Sequence, residues 1–287
     1  MKPLTKLMSQ RRPLMPEMPE VETIKRDLEK KMRGKRVEKV IIKNKKSVKM
    51  PTPSEFIRQI EGKVFTGVER RGKFLLLGLD SEDSLVIHLK LTGRLIYSKR
   101  GEELDYSRVV FVFQDNTQLS FTDIRGFGGI WLIPDREFQK IPTLDNLGPE
   151  PLAEDFTVAK FGDLLKGKRG KIKSLLMDQE FMAGIGNIYS QEALFLSQIH
   201  PERIPSSLAD EEIEKLYENL RQVLKKAISY RGSSVDTYVD LEGKKGSFES
   251  QLKVYGREGE PCFKCGTSIK RIEVSGRGTY FCPNCQS

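Results

Sequence analysis

The sequence predicts an α+β protein of several domains, and three observations carry that expectation. One amphipathic helix near the front is followed by a long series of short strands with turns between them. Past residue 151 the hydrophobic period becomes helical. All four cysteines then fall within the last 26 residues. At 287 residues the chain exceeds what one small core needs, so two or three domains are expected.

Residues 21–33 set Val21, Ile24, Leu28 and Met32 on one helical stripe, with Gly34 as a natural stop. Alternating or continuous apolar runs then mark strands at 37–42, 64–70, 74–79, 85–91, 94–97, 109–113, 118–123 and 129–133. Turn signals such as Arg71-Gly72, Ser81-Glu82-Asp83 and Asp115-Asn116 separate them, a spacing that suits a β-sandwich or a barrel. Residues 141–151, rich in proline and turn formers, read as a linker.

Helices follow at 160–165, 171–177, 187–198 and 208–230. In the last, Ile213, Leu216, Leu220, Val223, Leu224, Ala227 and Ile228 form the buried face. Before the third lies Ala183-Gly184-Ile185-Gly186-Asn187, where Asn187 suits a helix cap and the glycines permit close backbone approach. Free N–H groups at such a helix start suit an anion, and a tight turn accounts for the same residues equally well.

Residues 1–50 hold 16 Lys and Arg against 6 Asp and Glu, while the rest of the chain is nearly neutral. A basic front suits a polyanionic partner, either nucleic acid or an anionic membrane surface. No apolar run approaches the roughly 20 residues that cross a bilayer. The start lacks the long apolar core of a secretory signal, so a cytoplasmic location is expected.

The cysteines read CFKC, sixteen intervening residues, then CPNC. Two such knuckles can turn Cys262, Cys265, Cys282 and Cys285 toward one tetrahedral zinc ion. An all-cysteine site is closed, which makes one structural Zn2+ the expected cofactor. Alternation around Ile269, Ile272, Val274 and Thr279 to Phe281 predicts a β-hairpin. Its expected turn, Ser275-Gly276-Arg277-Gly278, exposes Arg277 at the tip as a phosphate or groove contact.

The most unusual local sequence is Met15-Pro16-Glu17-Met18-Pro19-Glu20-Val21-Glu22-Thr23, a proline-containing lead into an acidic helix start. It stands in order with RRGKFLL, HLKLTG, TDIRGFG, AGIGNIY and YGREGEPCFKCG…GRGTYFCPNCQ. Together these segments make the chain resemble the formamidopyrimidine-DNA glycosylase family from about Met15 to Gln286.

The resemblance implies an N-terminal helix with an antiparallel β-sandwich, a helix–two-turns–helix domain and a C-terminal zinc ribbon hairpin. The implied boundaries are an extension at 1–14, a catalytic domain at 15–140, a linker at 141–151, a helical DNA-binding domain at 152–246 and a zinc finger at 247–287. It also implies a monomeric, nucleoid-associated enzyme that acts on double-stranded DNA containing oxidised bases and needs no membrane. Such an enzyme excises oxidised purines, 8-oxoguanine and formamidopyrimidines, and then cuts the strand by β,δ-elimination.

The implied nucleophile is Pro16, freed by loss of Met15. A secondary amine that attacks the sugar C1′ gives a cationic iminium, an electron sink for loss of the 3′ and then the 5′ phosphate. Glu17 is the adjacent proton carrier, and Glu20 serves either that role or the helix start. Lys73 matches the hairpin lysine beside the lesion's sugar and phosphate. Leu91, Arg125 and Phe127 match the side chains that fill the gap left by the extruded base, Leu91 where the family usually has methionine. Asn187 and Arg277 match phosphate contacts. His88 is structural or DNA-contacting rather than a general base.

Fourteen residues precede Met15. With them attached, the Pro16 nitrogen is a tertiary amide and forms no iminium. The expectation is therefore that translation begins at Met15 or that the extension is removed. Two rival readings are a glycosylase for oxidised pyrimidines and a non-catalytic zinc-ribbon DNA-binding protein.

Overall fold

The computed structural model describes residues 15–235 and 237–287. The expected extension at 1–14 lies outside the described residues. Helix α1 (Met18–Met32) begins three residues earlier than its apolar stripe, because Pro19 fits the first helical turn and Glu20 reaches back to the Glu17 N–H at 2.8 Å. Gly34 follows the helix at φ +80°.

Two sheets make the sandwich. The first holds β1 (Val37–Ile42), β7 (Ser107–Phe113), β8 (Thr117–Asp123) and β6 (Gly93–Lys99), in that spatial order. The second runs β2 (Val48–Met50), β9 (Gly129–Pro134), β5 (Asp83–His88), β4 (Phe74–Leu79) and β3 (Phe65–Arg71). All pairings are antiparallel except β2 with β9. Inward residues of both sheets, among them Phe65, Leu75, Leu77, Ile87, Phe111, Phe113 and Phe121, pack one core with Val21, Ile24, Leu28 and Met32 of α1.

Two helices lie where the sequence reading placed none. Helix α2 (Pro53–Ile60) starts on a reciprocal Thr52–Glu55 capping box and buries Phe56 and Ile60. Helix α3 (Pro142–Asp145) lies in the expected linker, with Ile141 and Leu144 packed on Phe74, Leu76, Val86 and Ile133. That cover explains why β4 and β5 read as continuous apolar runs rather than alternating ones. The strand expected at 85–91 ends at His88, which leaves Leu91 in the following loop.

Helices α4 (Val158–Leu165), α5 (Ile172–Met177), α6 (Asn187–Ser197) and α7 (Asp210–Ser229) share a second core. Met18, from the start of α1, is buried in it, so the front of the chain is seated in the helical half. The hairpin β10 (Lys270–Val274) and β11 (Arg277–Phe281) completes the fold. Its turn is the two residues Ser275 and Gly276, both at positive φ, as a tight hairpin turn requires. Arg277 is thus the first residue of β11, paired with Val274, and not the turn tip. No helix among the described residues is long and apolar enough to cross a membrane.

Candidate active site

The site is built where α1 begins and α6 begins. The Met18 N–H donates to the Gly184 carbonyl at 2.9 Å. Gly184 has φ +88°, and a Cβ on it would lie 2.6 Å from that of Met18. A Cβ on Gly186 would lie 2.4 Å from Glu17 Cδ. The two glycines are what let the chains touch.

Gly186 is the N-cap of α6, and Asn187 lies inside the helix rather than capping it. The free N–H groups of this helix start do hold an anion, but it is the Glu17 carboxylate. Ile188 N–H donates to it at 2.9 Å and Tyr189 N–H at 3.4 Å. Asn187 Nδ2 instead donates to the Gly278 carbonyl at 3.3 Å, which ties α6 to the hairpin.

Glu20 lies beside Glu17, also buried. Its carboxylate accepts the Tyr189 hydroxyl at 2.5 Å, the Ser233 N–H at 2.7 Å and the Glu17 N–H at 2.8 Å. Burial and the charge of Glu17 push its pKa up to about 7. Burial also raises the Glu17 carboxyl, opposed by the nearby Lys73 charge and by the α6 N–H groups.

Lys73 follows the tight Gly72 turn between β3 and β4, and its Nζ donates to the Ile185 carbonyl at 2.9 Å. Burial depresses its pKa to about 8, against the pull of Glu17 and with the help of Arg277. Lys173 of α5 is likewise buried, and its Nζ has no partner among the described residues. Burial and then Arg277 bring it down to about 7. Glu17, Lys73, Asn187 and Arg277 are thus linked through contacts and fields at one place, and Pro16, next to Glu17 in the chain, lines a small cavity with Glu20 and Ile188. His88 joins them, lining a cavity with Met15 and Lys73. Its Nδ1 accepts the Lys90 N–H at 3.0 Å, and burial holds its pKa well below the usual range. The ring is neutral, which places its proton on Nε2.

Leu91, Arg125 and Phe127 lie on two adjoining loops that follow β5 and β8. Buried Asp123 joins the loops by accepting the Thr92 hydroxyl, the Arg125 N–H at 3.2 Å and the Gly128 N–H at 2.8 Å. The Arg125 N–H also reaches Thr92 Oγ1 at 3.1 Å. Phe127 is 54% exposed, with the Arg125 guanidinium 4.8 Å from its ring centre. An aromatic this exposed, backed by a cation on a braced loop, is a surface made to contact something.

The four cysteine sulfurs lie within 4.8 Å of one another. Cys262 and Cys285 are 4.0 Å apart and Cys265 and Cys282 3.4 Å, which brackets the roughly 3.8 Å edge of a tetrahedron with 2.3 Å Zn–S bonds. The residues fit one zinc ion. Three side chains absent from the sequence reading dock this ribbon. Glu192 takes the Lys253, Val254 and Tyr255 N–H groups at 2.8–3.0 Å, and Gln286 reaches the Ile199 carbonyl at 2.9 Å. Gln191 takes the Tyr280 N–H at 2.6 Å.

Comparison with known proteins gives three family matches. Residues 15–130 match the formamidopyrimidine-DNA glycosylase N-terminal domain, 147–239 the H2TH domain of the same glycosylase, and 259–287 a zinc finger found in FPG and IleRS. The formamidopyrimidine-DNA glycosylase of Listeria innocua is 40% identical over 273 residues, covering 95% of this chain and 100% of the relative. That of Heliobacterium modesticaldum is 43% identical over 276 residues, with the same shares. Among solved structures, a mutant of the Lactococcus lactis FPG in complex with Fapy-dG-containing DNA aligns with a TM-score of 0.89 at 35% identity, over 95% of this chain and 100% of that one. The MutM (FPG) protein of Thermus thermophilus aligns at 0.85 and 40% identity, over 94% and 98%.

Proposed function

This chain belongs to the formamidopyrimidine-DNA glycosylase family, and from that premise we propose that Pro16 carries the chemistry of an oxidised-purine glycosylase and AP lyase. The chain is a DNA glycosylase of base excision repair with one structural zinc site. The observation that carries the reading is Glu17. It follows Pro16 directly and is a buried carboxylate with a raised pKa, held on two N–H groups of α6.

The secondary amine of Pro16 attacks C1′ of the damaged nucleotide, and the base leaves with a proton. Opening of the sugar ring gives the iminium. Loss of a C2′ proton then expels the 3′ phosphate, and a second elimination expels the 5′ phosphate. A carboxyl whose pKa is raised by burial holds its proton more readily than an exposed one and can give and take these protons. For the amine to act, the peptide bond from Met15 must be absent, since an amide nitrogen has no free lone pair.

Lys73, Lys173 and Arg277 supply positive charge around Glu17, and a DNA phosphate brought among them restores the charge that burial disfavours. Asn187 and the neutral Nε2–H of His88 add donors to the same backbone. Leu91, Arg125 and Phe127 enter the duplex where the base has left, with Asp123 bracing their loops. Zinc holds the hairpin that presents Arg277. The proposed organisation is a catalytic domain at 15–140, a linker at 141–151, a helical DNA-binding domain at 152–246 and a zinc finger at 247–287, in an enzyme that works on chromosomal DNA in the cytoplasm as a monomer.

The test uses protein that begins at Pro16, incubated with duplexes carrying 8-oxoguanine or an oxidised pyrimidine. Base release and strand cleavage on the 8-oxoguanine duplex are expected. Preference for the oxidised pyrimidine overturns the substrate assignment, and base release without cleavage overturns the role of the amine.

A further inference from the structure

We propose that Arg231 is a positioning residue for base excision, clamping both ends of the segment after α7 against α1 beside the Pro16 cavity. The inference rests on the reading of Pro16 as nucleophile. Helix α7 ends in a Schellman motif: the Gly232 N–H donates to the Ala227 carbonyl at 2.9 Å and the Arg231 N–H to the Ile228 carbonyl at 3.0 Å. The left-handed residue of this motif is usually glycine, because a Cβ there crowds the backbone. Here it is Arg231 at φ +60°, followed by Gly232 at +80°.

A side chain set against its backbone preference is held by what it touches. The guanidinium of Arg231 meets Asp27 of α1 at 2.5 Å and Asp240 at 2.6 Å. Asp240 is buried, and its other oxygen takes the Glu242 and Lys244 N–H groups at 3.0 and 2.8 Å. One cation therefore joins residue 231, where the chain leaves α7, to residue 240 on its return, and both to α1.

Between those ends, Ser233, Val235, Thr237 and Tyr238 line a small cavity together with Pro16 and Glu20. Ser233 Oγ is buried with no partner among the described residues. Thr237 Oγ1 donates to the Leu91 carbonyl at 3.2 Å, so the segment also reaches the loop of Leu91. The cavity itself is too small for a base, but its wall borders Pro16, so a base extruded on the sugar that Pro16 attacks is brought against this segment. An abasic sugar has no base to meet it. Arg231 thus governs base release and leaves cleavage at an abasic site alone.

Arg231→Gly is the informative variant, since glycine suits the left-handed position and the fold is kept while the clamp is lost. Single-turnover release of 8-oxoguanine and cleavage of a preformed abasic duplex are measured side by side on protein that begins at Pro16. Base release should fall about tenfold and abasic cleavage change less than about twofold, within the range that small misplacements of positioning groups produce. Arg231→Lys, which keeps the charge but not the planar fork, should fall between parent and glycine. Equal losses in both reactions, or no loss in either, overturn the proposal. A parent protein inactive in both assays overturns instead the reading of Pro16.

Discussion

Gly186→Ala should disable the enzyme while leaving most of it folded. The added Cβ would sit 2.4 Å from Glu17 Cδ and 2.5 Å from Oε1, where carbon contacts normally lie at about 3.5–4.0 Å. One partner must move by about 1 Å. Backbone conformation is not the obstacle, because Gly186 has an extended φ of −139°. Glu17 is the partner that yields, and it gives up its hold on the Ile188 N–H at 2.9 Å. The lost helix-start bond costs about 1 kcal/mol and the overpacking about 1–3 kcal/mol, so a thermal midpoint several degrees lower is expected. A carboxylate displaced by about 1 Å loses on the order of a hundredfold in rate. The assay pairs thermal unfolding with single-turnover cleavage of an abasic duplex. Parent-like cleavage in a protein with a lowered midpoint would mean that Glu17 does not carry the proton. Parent-like values in both would mean that the close approach of α1 to α6 is not there.

Three further outcomes follow from the same contacts. Burial raises the pKa of Glu20 to about 7 from an ordinary 4.5, so its contribution to stability is present below about 4.5 and is lost as pH rises through about 7. Tyr189→Phe removes the hydroxyl that solvates the ionised form, and by urea titration it should cost about 1–3 kcal/mol at pH 8 and less at pH 5. An equal cost at both values would contradict the shift. Arg277→Ala should weaken binding to an abasic-site analogue and lower the slope of log affinity against log salt by about one, an unchanged slope excluding a phosphate contact. Stripping zinc with a chelator should abolish duplex binding, measured by anisotropy, because the hairpin loses the metal that folds it; binding that survives complete zinc loss would refute this role of the ribbon.

Much of the architecture is legible because it is written locally. The strands announce themselves through alternating or continuous apolar runs set between turn signals, and four cysteines at metal spacing fix the ribbon. Helix α2 carries a readable signal, Thr52-Pro53-Ser54-Glu55, a capping box ahead of Phe56 and Ile60. What escapes depends on partners distant in sequence. The anion at the start of α6 is a side chain 171 residues away from Ile188, so Asn187 reads as the natural cap. Lys173 reads as an ordinary helical lysine, and only the packed fold buries it beside Arg277. Arg277 falls outside the turn by a single position because Ser275 takes up a left-handed conformation that glycine or asparagine usually fills. Asp123 lies at the end of a strand, and its bracing role appears only when two loops meet over it.

The central claim is that the amine of Pro16 forms the covalent link to DNA, and borohydride trapping followed by peptide mapping tests it most directly. Protein beginning at Pro16 is incubated with an abasic or 8-oxoguanine duplex under borohydride, digested, and the adducted peptide sequenced by mass spectrometry. The adduct should lie on the Pro16 nitrogen, and protein in which Met15 is still attached should give none. An adduct on Lys73 or another lysine, or equal trapping with Met15 in place, would contradict the account.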